Sequence, residues 1–151
     1  MEVAMLLCDA AEAVNGKLYI LGAGWSQLLL PDTPVNMSLA VKIAVPWHEA
    51  NDPHEVVAKL VDGDGHDVTV VPPGAPEGAE PIRIRNQVTI ETGRPPGLVP
   101  GTALDAPLVF NFGGLPLPTG SYVWELEVDG TVEARAPFRV GPVQRRVTAN
   151  E

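Results

Sequence analysis

The chain has 151 residues, 45% apolar and 19% charged, which suits one globular domain burying about 70% of its unfolded surface and excludes a wholly disordered chain. Its net charge of −9 excludes the basic stripe that phosphate backbones and anionic membranes require, so neither is an expected partner; a cationic partner or plain solubility suits the sign. One cysteine, Cys8, permits no intrachain disulfide, no run approaches the ~20 apolar residues of a membrane helix, and Glu2 stands where a signal peptide needs a base, so a cytoplasmic protein is expected.

The first apolar segment, Val3 to Val14, ends at Asn15-Gly16, a pair that tolerates the positive φ angles of a tight hairpin. Lys17 to Gly22 returns as a second strand, with Leu18 and Ile20 on one face and Tyr19 and Leu21 on the other. Both faces are apolar, which predicts either a strand covered on both sides or a surface awaiting a partner. Gly22-Ala23-Gly24 predicts a bulge or bend.

After Leu28-Leu29-Leu30 the sequence turns at Pro31-Asp32-Thr33-Pro34. Met37, Leu39, Val41, Ile43, Val45 and Trp47 then alternate with smaller or polar residues, the pattern of a long central strand that Pro46 should close. Trp47 to Pro53 reads as a loop, and His54 to Asp62 as a strand ending in the turn Asp62-Gly63-Asp64-Gly65. A return through His66 to Val71 leads into a proline-rich loop, Val71 to Pro81. Ile82, Ile84, Val88 and Ile90 mark a further strand in which Asn86 falls in the inward register, as a bulge or a buried polar group. A second loop, Thr92 to Gly101, precedes a strand from Leu104 to Phe112.

Near the C-terminus, Tyr122, Trp124, Leu126 and Val128 sit two apart before Asp129-Gly130, and the strand returning from Thr131 to Val140 buries Val132, Ala134, Ala136, Phe138 and Val140. Tyr122 follows the corner Pro118-Thr119-Gly120, where an immunoglobulin-like domain sends a tyrosine hydroxyl back to upstream backbone. Turn signals between about eight or nine strands predict an all-β fold, an immunoglobulin-like antiparallel β-sandwich with Greek-key connections. One domain over residues 1–141 and a flexible tail over 142–151 are expected.

Cys8-Asp9-Ala10-Ala11, then Asn15-Gly16-Lys17-Leu18 with Ile20 and Gly22, and finally Pro118, Gly120, Tyr122, Trp124 and Leu126 carry a resemblance. The chain resembles a bacterial family of unknown function whose short single-domain members open with C-D-x-A and N-G-K-L-x-I-x-G patterns and close with P-x-G-x-Y-x-W-x-L. The resemblance spans most of the chain, and its motifs, made of apolar and turn residues, report on fold. The family has no assigned activity, so it implies no site residues.

The residues offer few chemical constellations. Asp62, Asp64, His66 and Asp67 begin like a calcium loop, but the twelfth position, which needs a bidentate glutamate, is Pro73; an acidic turn is expected. His48, Glu49, Asp52 and His54 lack an established metal spacing and read as a solvated loop. Cys8, amid apolar residues, is expected to be a buried thiol with a raised pKa, and the adjacent Asp9 a carboxylate that faces solvent or bonds turn amides. Gly22-Ala23-Gly24 and Gly113-Gly114 fit neither the phosphate-loop nor the dinucleotide pattern.

No catalytic residue, cofactor or metal is therefore expected. The expected function is a non-catalytic binding or accessory module working through a protein partner or as a homodimer. Its surface is expected to comprise Tyr19, Leu21, Trp25, Leu28, Leu29 and Leu30. The alternative is a small-ligand or carbohydrate site in the loops near Trp25, Trp47 and His48, with Trp25 the one tryptophan outside core register. An enzyme is the third and least expected reading.

Overall fold

A computed structural model describes residues 1–29, 34–72 and 74–141. Leu30, most of the turn after it and the tail 142–151 lie outside the described residues. The described strands are β1 (Glu2–Val14), β2 (Lys17–Ala23), β3 (Gln27–Leu28), β4 (Val35–Val45), β5 (His54–Asp62), β6 (Thr69–Val70), β7 (Ile82–Arg83), β8 (Arg85–Ile90), β9 (Leu104–Leu115), β10 (Gly120–Val128) and β11 (Thr131–Val140). Among the described residues the one helical turn is a 3₁₀ turn at Trp47–Glu49, and no helix is long and apolar enough to cross a membrane.

The strands form a four-stranded sheet in the order β2-β1-β4-β9, a five-stranded sheet in the order β3-β11-β10-β5-β8, and a small pair β6-β7. Alternation decides which side chains meet between the larger sheets. Met37, Leu39, Val41, Ile43 and Val45 from β4 and Val56, Ala58 and Leu60 from β5 join Trp124 and Leu126 from β10 in one core cluster. Trp124 is fully buried; its ring stacks on Phe112 of β9 at 4.3 Å and its indole N–H donates to Met37 Sδ of β4 at 3.2 Å, so a side chain of the five-stranded sheet is held by two residues of the four-stranded one. β4 runs for eleven residues between two neighbours and stops at Pro46, which has no N–H to continue the ladder.

Two tight turns follow their local chemistry. Asn15 and Gly16 take φ 51° and 72°, and Asp129 and Gly130 take φ 50° and 83°, the doubly positive pattern whose twist matches a hairpin. The Tyr122 hydroxyl donates to the Pro118 carbonyl at 2.6 Å, closing the corner before β10.

Other segments depart from expectation. β3 pairs parallel to β11, so the sheets are not wholly antiparallel: after β2 the chain crosses to the second sheet and runs alongside the end of β11. Gly22 at φ 64° bends β2 without shifting its register. The strand foreseen from Ile82 to Ile90 is broken at Ile84, and its two pieces pair with different partners, β6 and β5. Asn86 faces Ala58 in register but is exposed, because β8 is an edge strand, and its side chain accepts the Gln87 N–H at 2.9 Å. Val88, on the same edge strand, is exposed as well, and Ile82 is exposed on the two-stranded β6-β7 pair.

Candidate interaction surface and the other candidate sites

β1 is longer than the strand beside it, and this sets the geometry of the surface. Its first half, to Cys8, pairs with β4; from Cys8 onward it pairs on its other edge with β2. Beyond Cys8, β1 and β2 therefore form a two-stranded ribbon that has left the β4 ladder. In register, Leu6 lies opposite Ala40, Ala10 opposite Leu21, and Glu12 opposite Tyr19. These residues share the face turned away from the core, since Leu7 between them lies opposite Leu39 and joins the core. Leu21 is 71% exposed, Tyr19 57% and Leu6 48%. The small side chains between them, Cys8, Ser38 and Ala40, are nonetheless buried.

The six residues expected to make one surface divide. Tyr19 and Leu21 lie on the ribbon. Trp25 instead packs its ring edge-on against Phe138, centroids 6.3 Å apart, with its Nε1 buried and unpartnered; it is a core-packing residue rather than a free aromatic platform. Leu28, on β3, is half-buried against the same core, Leu29 is exposed beyond it, and Leu30 lies outside the described residues. Leu6 was missed because Val3 to Cys8 is continuously apolar, and such a run carries no alternation to reveal which residues face outward.

The loop candidates are separate. Trp47 sits in the 3₁₀ turn with Arg94 stacked 5.0 Å above its ring, and Arg94 also donates to the Trp47 carbonyl at 2.7 Å. Trp47 and His48 border an open cleft of about 690 Å³ together with Met1, Pro46 and Gly101. Trp25 does not line it.

His54 is the residue whose role the sequence concealed. Read as part of a solvated loop, it is instead buried at the start of β5, with Nδ1 2.6 Å from Asp129 Oδ2 in the β10–β11 turn. The other oxygen of Asp129 accepts the Glu55 N–H at 2.9 Å. That hydrogen bond to Asp129 raises the His54 pKa, and it lowers that of Asp129 in turn. Glu49 Oε2 lies 4.0 Å from His54 Nε2, and both atoms are buried without a hydrogen-bond partner. His48 is exposed and 4.0 Å from the far side of Glu49. The pair His54–Asp129 ties a turn to a strand; the separation of 75 residues made it invisible to local patterns.

Cys8 is buried and donates to the Ser38 carbonyl at 3.3 Å; burial pushes its pKa up, so the thiol stays protonated and poorly nucleophilic. Asp9 is exposed with its carboxylate against Gly22, where a Cβ would collide with it. Asp62 accepts the backbone N–H groups of Asp64 at 2.9 Å and His66 at 3.0 Å, and these bonds hold its carboxyl below the usual range. Asp62, Asp64 and His66 do bring three potential ligand atoms within 4.8 Å of one another, but the turn's own hydrogen bonds account for that crowding.

No curated protein matches the chain. Residues 3–141 match the model of a family of unknown function (DUF6941), and the chain belongs to that family.

Proposed function

We propose that this protein is a non-catalytic binding module, built as an immunoglobulin-like sandwich with Greek-key connections, that works in the cytoplasm through a protein partner or a second copy of itself. The contact surface is the outer face of the β1–β2 ribbon. One observation carries the reading: Tyr19 and Leu21 stand exposed side by side on one face of regular β-structure, with Leu6 exposed further along the same face of β1, where a solvated sheet face favours polar residues. The engagement of Cys8 and His54 in structural hydrogen bonds supports the non-catalytic part of it.

The test is a Tyr19→Glu, Leu21→Glu double variant compared with the parent by light scattering and by partner capture. The variant is expected to fold normally and to lose an assembly state or a partner. If it keeps every one, the surface is misplaced.

The open cleft beside Trp47 and His48 supports a second reading, a small-ligand or carbohydrate site. With Trp25 packed elsewhere, this reading now rests on those two residues. Ligand-dependent quenching of tryptophan fluorescence is the expected signature, and a Trp47→Phe variant should abolish it; a silent library removes the reading.

A further inference from the structure

Among the described residues β2 hydrogen-bonds to β1 and to no other strand, so its outer edge offers unpaired N–H and C=O groups. Native edges are normally blunted by proline, an inward charge or a bulge. Here the regular stretch Lys17–Leu21 carries one charge, Lys17 at its start, and no proline, and the strand bends only afterwards at Gly22.

A strand that pairs with this edge must itself be apolar on both faces: Leu18 and Ile20 look to the core side, Tyr19 and Leu21 to the outside. β2 meets that requirement itself, and an antiparallel strand pair is its own two-fold complement. The Asn15-Gly16 turn fixes where the edge begins and Gly22 where its regularity ends, so the register that pairs the whole stretch places Tyr19 opposite Tyr19 of the second copy.

We propose that the β2 edges of two copies pair antiparallel about Tyr19, joining two four-stranded sheets into one continuous sheet of eight. The proposal rests on the reading of the ribbon as the contact surface and names its occupant. Lys17 then lies opposite Leu21 of the second copy and Leu18 opposite Ile20, so apolar residues meet on both faces and no two like charges face each other directly. The net charge of −9 on each copy opposes association at long range, a repulsion that salt screens.

The test places one cysteine at a time in a Cys8→Ala background of the full chain. Paired strands hold opposite Cα atoms about 4.5–5.5 Å apart, within the span of a disulfide. Tyr19→Cys is expected to give a disulfide-linked dimer on mild oxidation, and Leu6→Cys, which sits on the face rather than the edge, is expected to give none. Light scattering of the parent should give twice 16.0 kDa, with the dimer favoured as salt is raised. A single-chain mass at every concentration and salt level overturns the dimer. The capture experiment with the Tyr19→Glu, Leu21→Glu variant then decides separately whether the ribbon binds another protein. A dimer that links through Leu6→Cys and not Tyr19→Cys overturns the edge pairing and leaves the ribbon as a face-to-face contact.

Discussion

The outer faces of the two sheets are built from the same geometry and finished differently. On the five-stranded sheet, outward residues of adjacent strands pair by charge: Lys59 with Glu127 at 2.9 Å and Glu125 with Arg135 at 3.0 Å. On the four-stranded sheet Lys42 of β4 pairs in the same way with Asp105 of β9 at 3.1 Å; the difference lies in β1 and β2, whose outward positions hold Leu6, Ala10, Tyr19 and Leu21, with Glu12 the charge beside Tyr19. Cross-strand charge pairs each stabilise a wet face by only about 0.2–1 kcal/mol, but they keep it compatible with water. A face left apolar gains nothing in the isolated chain, and its composition makes sense when another surface covers it.

Mutations should affect stability most in the core that both sheets share. Trp124→Ala removes the ring that touches Phe112 and Met37, and should cost about 3–5 kcal/mol in chemical denaturation, the largest loss expected from a single change. A loss below about 1 kcal/mol, the range of ordinary substitutions, would show that the sheets do not depend on that contact.

The next effect lies where the five-stranded sheet is latched. His54→Gln breaks a charge-assisted hydrogen bond to Asp129 and should cost about 1.5–3 kcal/mol. The effect should depend on pH. Because the folded-state pKa of His54 lies above 6.5, its contribution is full below 6.5 and is lost as pH rises through the raised value. Because that of Asp129 lies below 3.8, its contribution is present above 3.8 and is lost as pH falls through the lowered value. The gap between parent and variant should therefore be widest between pH 3.8 and 6.5. A gap that does not change with pH would mean that His54 matters only by its shape.

On the ribbon the effects should be smaller. Gly22→Ala places a Cβ at φ 64° and against the Asp9 carboxylate, for a cost of about 1–2 kcal/mol in thermal or denaturant unfolding. Asp9→Ala in the same chain should restore the part due to collision and leave the backbone part. Leu21→Lys should change monomer stability by no more than about 0.5 kcal/mol, because the side chain is 71% exposed. A larger destabilisation would show that Leu21 is covered within its own chain and would remove the contrast between the two faces.

Much of the architecture was legible because strands announce themselves by alternation and hairpins by residues that accept positive φ. The eleven-residue β4, the turns at Asn15-Gly16 and Asp129-Gly130 and the Tyr122 corner all follow from neighbours in sequence. The candidate surface was legible only in part. β2 betrayed itself by being apolar on both faces, but Trp25 and Leu28 have the same composition as surface residues and are packed on the core, and Leu6 was hidden in an unbroken apolar run.

What the sequence determined by itself is local: the all-β class, the periods of its strands and the chemistry of its tight turns, since each depends on residues a few positions apart. Tertiary structure decided which faces are covered. It brought His54 to Asp129, set β3 parallel to β11, and left β8 and β2 at sheet edges. Alternation assigns side chains to two faces; whether a face, or an edge, meets protein or water depends on strands paired from far along the chain.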